Sequence, residues 1–91
     1  MEEAESIFTT FLSEAERRLG ILRNLTCDDR DAIHFEAHTL IGSAGTFGMM
    51  RLSQLARQLE RRSATIASED YRPAVERLLE AYQISRQELL A

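Results

Sequence analysis

The chain contains one cysteine, Cys27, so no internal disulfide can hold it and its fold does not depend on an oxidising compartment. It has a single proline and only four glycines, which leaves long uninterrupted helices open. Its apolar runs all fall short of the roughly 18–20 residues that a membrane span needs. The opening Met-Glu-Glu-Ala-Glu is acidic where a secretory signal would be basic, so a cytoplasmic location is expected, without membrane insertion. Eleven basic residues face fifteen acidic ones, a formal net charge of −4. Nucleic-acid binding needs a concentrated positive footprint, and this balance excludes it as the expected role. What the chain does have is apolar content: 44% of its residues are hydrophobic. A domain of this size buries roughly 60–65% of the surface its unfolded form exposes, so one efficient core is required. No repeat, linker or low-complexity tract divides residues 1–91, which read as a single domain.

The apolar residues recur with helical spacing. Phe8, Phe11, Leu12, Ala15, Leu19, Leu22 and Leu25 predict a first helix from about Glu3 to Leu25. Thr26 and Asp29 have the spacing of a capping box ahead of the second helix. That helix carries Ile33, Ala37, Leu40, Ala44 and Phe47 as a seam for burial, and Gly48 is a stop signal. A third helix, about Met50 to Arg62, buries Leu52, Leu55, Ala56 and Leu59. Thr65 to Ser68 form a turn. The fourth helix is expected to start near Asp70, so that Pro73 falls in its first turn, and to bury Val75, Leu78, Leu79, Tyr82 and Leu89. Four amphipathic helices joined by short connections predict an all-α, antiparallel up-down-up-down bundle.

The second helix has another face. His34, His38, Ile41, Gly42 and Gly45 fall in an arc separate from the apolar seam, because side chains at i+4 and i+7 return to one side. Glycine inside a helix costs about 0.5–1 kcal/mol relative to alanine, and two of them beside His38 suggest close access for a partner. The short turn at Gly48 folds the third helix back so that His38 lies level with Leu59 and Glu60. Glu60 can therefore accept a hydrogen bond from Nδ1 of His38, fixing its tautomer and leaving Nε2 outward as a nucleophile. His34 and His38 have a chelating spacing, but two imidazoles fall short of a zinc site and Cys27 is too distant. No metal and no intrinsically bound cofactor are expected. Ile41 is expected to add apolar surface to a docking patch, and the Met49-Met50 pair to pack at the turn. Nothing here resembles the catalytic arrangement of an independent metabolic enzyme.

The stretch Ala37-His38-Thr39-Leu40, continuing through Gly42-Ser43-Ala44-Gly45-Thr46-Phe47-Gly48 to Leu52, Leu55, Ala56, Leu59 and Glu60, resembles the histidine-containing phosphotransfer (HPt) domains of multistep two-component signalling. The resemblance covers essentially the whole chain. It implies a helical bundle that accepts a phosphoryl group from a receiver-domain aspartate and passes it to another receiver. His38 would be the phosphoryl carrier, Glu60 the residue orienting it and Gly42 the residue admitting the receiver. His34, Ile41, Gly45, Arg61 and Arg62 would face the partner. The implied partners are response-regulator receivers and a hybrid histidine kinase, with Mg²⁺ held by the receiver and this chain acting as a monomer. The pattern departs at Ile41, where relatives carry lysine or arginine near the incoming phosphoryl. Arg61 or Arg62 could compensate for that charge. The alternative implied by the departure is a degenerate, non-phosphorylated domain that binds and regulates a receiver or kinase.

Overall fold

Each stripe of apolar residues becomes one helix. The computed structural model describes residues 2–90, with side chains from Ser6 onward. It contains α1 (Glu2–Asn24), α2 (Arg30–Thr46), α3 (Met50–Arg62) and α4 (Ser68–Leu90). The helices form a ring in chain order: each packs on its sequence neighbours, α1 closes against α4, and among the described residues the backbones of the diagonal pairs stay apart. Cross-helix bonds fix the antiparallel sense. The hydroxyl of Tyr71 donates to the Leu22 carbonyl at 2.5 Å, and that of Tyr82 to Glu16 Oε2 at 2.6 Å. Later residues of α4 thus meet earlier residues of α1. The result is the all-α four-helix bundle that the periodicity predicts.

The core is built from Leu19, Leu22, Ile33, Leu40, Met49, Leu52, Leu59, Leu78 and Tyr82, all with less than 2% of their surface exposed. At one end Phe47 is half-buried and stacks on Phe11, with ring centroids 4.3 Å apart. The turn that follows is a Schellman motif. The Gly48 amide donates to the Gly45 carbonyl, and the Met49 amide to that of Ala44 at 2.8 Å. Gly48 takes a φ of 78°, a conformation open to glycine at little cost. Met49 and Ala44, both fully buried, supply the hydrophobic contact that accompanies this motif. Met50 turns outward and is exposed, so only one of the two methionines packs at the turn.

Three further details differ from the sequence reading. The Thr26–Asp29 pair closes the loop before α2 rather than capping the helix itself. Asp29 accepts from the Thr26 amide at 2.8 Å, while Asp29 is the N-cap and makes no side-chain cap bond to α2. α4 begins at Ser68, which places Pro73 beyond the first turn. Burial of Tyr71 and the Arg62–Asp70 ion pair at 3.4 Å anchor this earlier start. Pro73 is on the exposed side, where water can satisfy the carbonyl that loses its amide partner. Leu89, expected in the core, is exposed, as are Ile84 and Leu90. The last buried residue of α4 is Tyr82.

The two tyrosines also give the bundle a pH dependence. Burial, with a smaller contribution from Asp29, pushes the Tyr71 hydroxyl up to about 12. Burial and the hydrogen bond to Glu16 push that of Tyr82 higher still. An acid whose folded pKa is raised contributes stability that is complete below its unfolded value, ~10, and is lost as pH rises towards the folded value. Denaturant midpoints should therefore fall between pH 10 and 12, and Tyr71→Phe should flatten part of that decline.

Candidate functional site

α2 and α3 make the most extensive helix pair in the bundle, and the site lies along their exposed seam. The buried side of α2 comprises Ile33, Glu36, Ala37, Leu40 and Ala44. This fixes its rotation and turns His38 outward, with 71% of its side chain exposed. On α3, burial of Leu52, Leu55, Ala56 and Leu59 brings Glu60 to the edge facing α2. Glu60 Oε2 lies 2.5 Å from His38 Nδ1. In the neutral imidazole this contact puts the proton on Nδ1 and leaves the lone pair on outward-facing Nε2.

Glu60 is itself held in place. Only 18% of its side chain is exposed, and the buried Ser63 donates to its backbone carbonyl at 2.8 Å, tightening the last turn of α3. His34, one turn before His38, stacks nearly parallel to it with ring centroids 6.1 Å apart. Its Nε2 stands 3.7 Å from the same Glu60 oxygen. One carboxylate therefore faces two imidazoles.

The glycines on this face have different surroundings. A Cβ placed on Gly42 would meet nothing within 4 Å, whereas one on Gly45 would stand 3.8 Å from Ser53 Oγ. Gly42 thus opens onto solvent, and Gly45 borders the α2–α3 seam. The hydroxyls of Thr39, Ser43 and Thr46 bond back to the carbonyls of Phe35, Thr39 and Gly42. This satisfies them locally and keeps that surface low. Ile41 is half-buried and packs against the core, and its carbonyl accepts from Ser53 Oγ at 3.0 Å.

Of the two arginines expected at the site, Arg61 is exposed. Arg62 is turned to α4, where it pairs with Asp70; its position on α3, two residues past Glu60, rotates it away from α2.

Two contributors escaped the sequence reading. Phe35 lies off the apolar seam and is 59% exposed, beside His34 and within two turns of Gly42. Arg18 of α1 is 5.7 Å from the centre of its ring and pairs with the buried Glu36 at 2.8 Å, so α1 braces α2 next to the histidines. An aromatic residue outside the 4-3-4-3 seam was the available signal for Phe35. Nothing local marks the Arg18–Glu36 pair.

A cavity of about 530 Å³ lies elsewhere, between the α1–α2 loop and α4, with Cys27, Tyr71 and Val75 among its lining. His38 sits instead on an open surface, which suits a macromolecular partner better than an enclosed small molecule. Among the described residues, no group of three or more His, Cys, Asp or Glu side chains is arranged to hold a metal ion, and no helix is long and apolar enough to cross a membrane.

A four-helix bundle presenting an exposed histidine hydrogen-bonded through Nδ1 to a carboxylate defines a class of protein. The family model for the Hpt domain matches residues 6–88, nearly the whole chain, and the chain belongs to that family. Hpt domains are the histidine phosphotransfer modules of two-component phosphorelays and interact with receiver domains. No curated protein and no solved structure matches the chain.

Proposed function

We propose that this chain is a phosphorelay intermediate that takes a phosphoryl group from a receiver aspartate onto His38 and delivers it to a second receiver. The observation that carries the reading is the contact between Nδ1 and Glu60 at 2.5 Å on a histidine that is otherwise open to solvent. In the forward step the Nε2 lone pair attacks phosphorus in line. The bond from phosphorus to the aspartyl oxygen breaks, and its electrons leave with the aspartate carboxylate. The Nδ1 proton stays in place, so the ring becomes an imidazolium as the N–P bond forms. Glu60 stabilises that developing positive charge, and does so most effectively once the docked receiver excludes water. The reverse sequence, with a second aspartate as nucleophile, returns the ring to neutrality. Positioning and electrostatics supply most of the catalysis in such transfers. The Mg²⁺ of this chemistry enters with the receiver and offsets charge on the transferring group.

The receiver would dock over His38 and Gly42, with Phe35 and Ile41 as its apolar contacts and His34 and Gly45 along the border. A hybrid histidine kinase is the proposed source of the phosphoryl group. Packing of Ile41 on the core gives that residue a structural role as well, so its presence does not favour the binding-only alternative. Incubation with a panel of labelled phospho-receivers tests the reading. Acid-labile label should appear on the chain and then on a second receiver. If no member of a broad panel transfers label, the binding-only alternative takes its place. Phe35 offers a separate check on docking. Phe35→Ala should weaken receiver binding by roughly 1–2 kcal/mol, the range of an exposed aromatic anchor that becomes covered, and leave the thermal midpoint nearly unchanged.

A further inference from the structure

Phosphorylation of His38 would bring a dianionic group to a site that already holds the Glu60 carboxylate. The imidazolium formed in the step offsets one unit of charge, which leaves a strongly negative cluster. The basic groups on the α2–α3 seam can be sorted by helix position. Arg62 is engaged with Asp70 on α4. His34 Nε2 faces Glu60, on the side of His38 away from Gly42. Position 41 holds an isoleucine packed on the core.

Two residues of α3 hydrogen-bond to α2 on this face: Ser53, whose Oγ donates to the Ile41 carbonyl, and Glu60, which pairs with His38. Arg57 lies one turn beyond the first and one turn before the second, so the i+4 and i+3 relations place it on the same strip of α3. Because the helices run antiparallel, it stands level with the stretch from His38 to Ile41. It is exposed and takes part in none of the ion pairs among the described residues. Arg61 is rotated a further step away from α2.

We infer that Arg57 is the positioning cation of the site: its guanidinium meets the phosphoryl group on His38 Nε2 and holds it against the charge of Glu60. The inference rests on the relay reading for its biological use, but not for its chemistry. A planar guanidinium can hold two phosphoryl oxygens at once while leaving the nitrogen–phosphorus axis free for in-line attack.

The test uses two phosphoryl donors, a phospho-receiver and the small molecule phosphoramidate. Arg57→Ala should slow transfer from the receiver about tenfold, and Arg57→Glu on the order of a hundredfold, consistent with close charge pairs in a water-poor interface. Most of the loss should appear in kcat rather than KM, and Arg57→Lys should recover part of it. Ile41→Lys in the Arg57→Ala background should also restore rate, since it returns a positive group to the same level of the site. On chain phosphorylated with phosphoramidate, Arg57→Ala should shift the phosphorus resonance and change the lifetime of the phosphohistidine, whereas replacement of the exposed Arg77 on α4 by alanine should do neither. If receivers fail to transfer but phosphohistidine made chemically still senses Arg57, the relay reading falls and this inference stands. If Arg57→Ala behaves like Arg77→Ala with both donors, or if its loss lies wholly in KM, the inference is wrong. Failure of both donors to phosphorylate His38 overturns the relay and the inference together.

Discussion

His38→Gln should abolish acid-labile labelling, lowering transfer by at least about a thousandfold, because it removes the nucleophile outright. Glutamine is more informative than alanine here. It retains length and an amide donor that can face Glu60, but has no ring nitrogen to form an N–P bond. The fold should not suffer, since the imidazole is 71% exposed and its one bonded partner, Glu60, lies at the surface edge of α3. Surface substitutions of this kind usually change stability by no more than ~0.5 kcal/mol. Receiver affinity should accordingly stay within a factor of about three. The expected result is thus a separation of docking from chemistry. Label retained on His38→Gln would move the acceptor elsewhere, and His34 would then be the residue to replace next. A loss of receiver binding equal to the loss of label would point to a folding or docking defect and leave the nucleophile unidentified. Circular dichroism, a binding titration and the label assay on one preparation distinguish these outcomes.

The parts of this site that were legible in the sequence are those fixed by local periodicity. The alternating spacing of Ile33, Ala37, Leu40 and Ala44 sets the rotation of α2 and so the outward direction of His38. Gly48 sets the turn, and a short turn sets the register that brings Glu60 to His38. Each inference needs only helix geometry and one chain reversal. The parts that escaped depend on tertiary contact. Arg18 meets Glu36 across eighteen positions and Tyr71 meets Leu22 across forty-nine, separations over which no spacing rule operates. Tyr71 also explains why α4 starts two residues before the position its proline suggested: a buried aromatic outweighs the local preference for proline in a first turn. Ile66, buried in the α3–α4 connection, plugs the bundle from a segment read only as a turn. Arg57 belongs to an intermediate case. Its place in the chain was plain, but its relation to His38 required the rotation of α3, which the contacts of Ser53 and Glu60 define.

Gly42→Leu should raise stability and lower function, and the opposite signs are what make it decisive. A side chain at Gly42 projects into open space, with no atom within 4 Å of its first carbon. Replacing glycine within a helix therefore relieves a propensity cost of about 0.5–1 kcal/mol. In a domain of this length that corresponds to a rise in the thermal midpoint of roughly 2–8 °C. The same leucine would stand one helical turn from His38, on the face where the receiver backbone must approach. Its bulk should weaken docking by at least about tenfold, or ~1.4 kcal/mol, and reduce kcat/KM from a phospho-receiver by a comparable or larger factor. Phosphorylation of His38 by phosphoramidate, a donor small enough to pass beside the leucine, should be nearly unaffected. Gly20→Ala supplies the control. Gly20 in α1 also has no atom within 4 Å of the added carbon, so the exchange should stabilise the bundle without touching receiver affinity. If Gly42→Leu binds and transfers as well as the parent chain, then glycine at this position is not there to admit a receiver, and the docking surface must lie off the Gly42 side of His38.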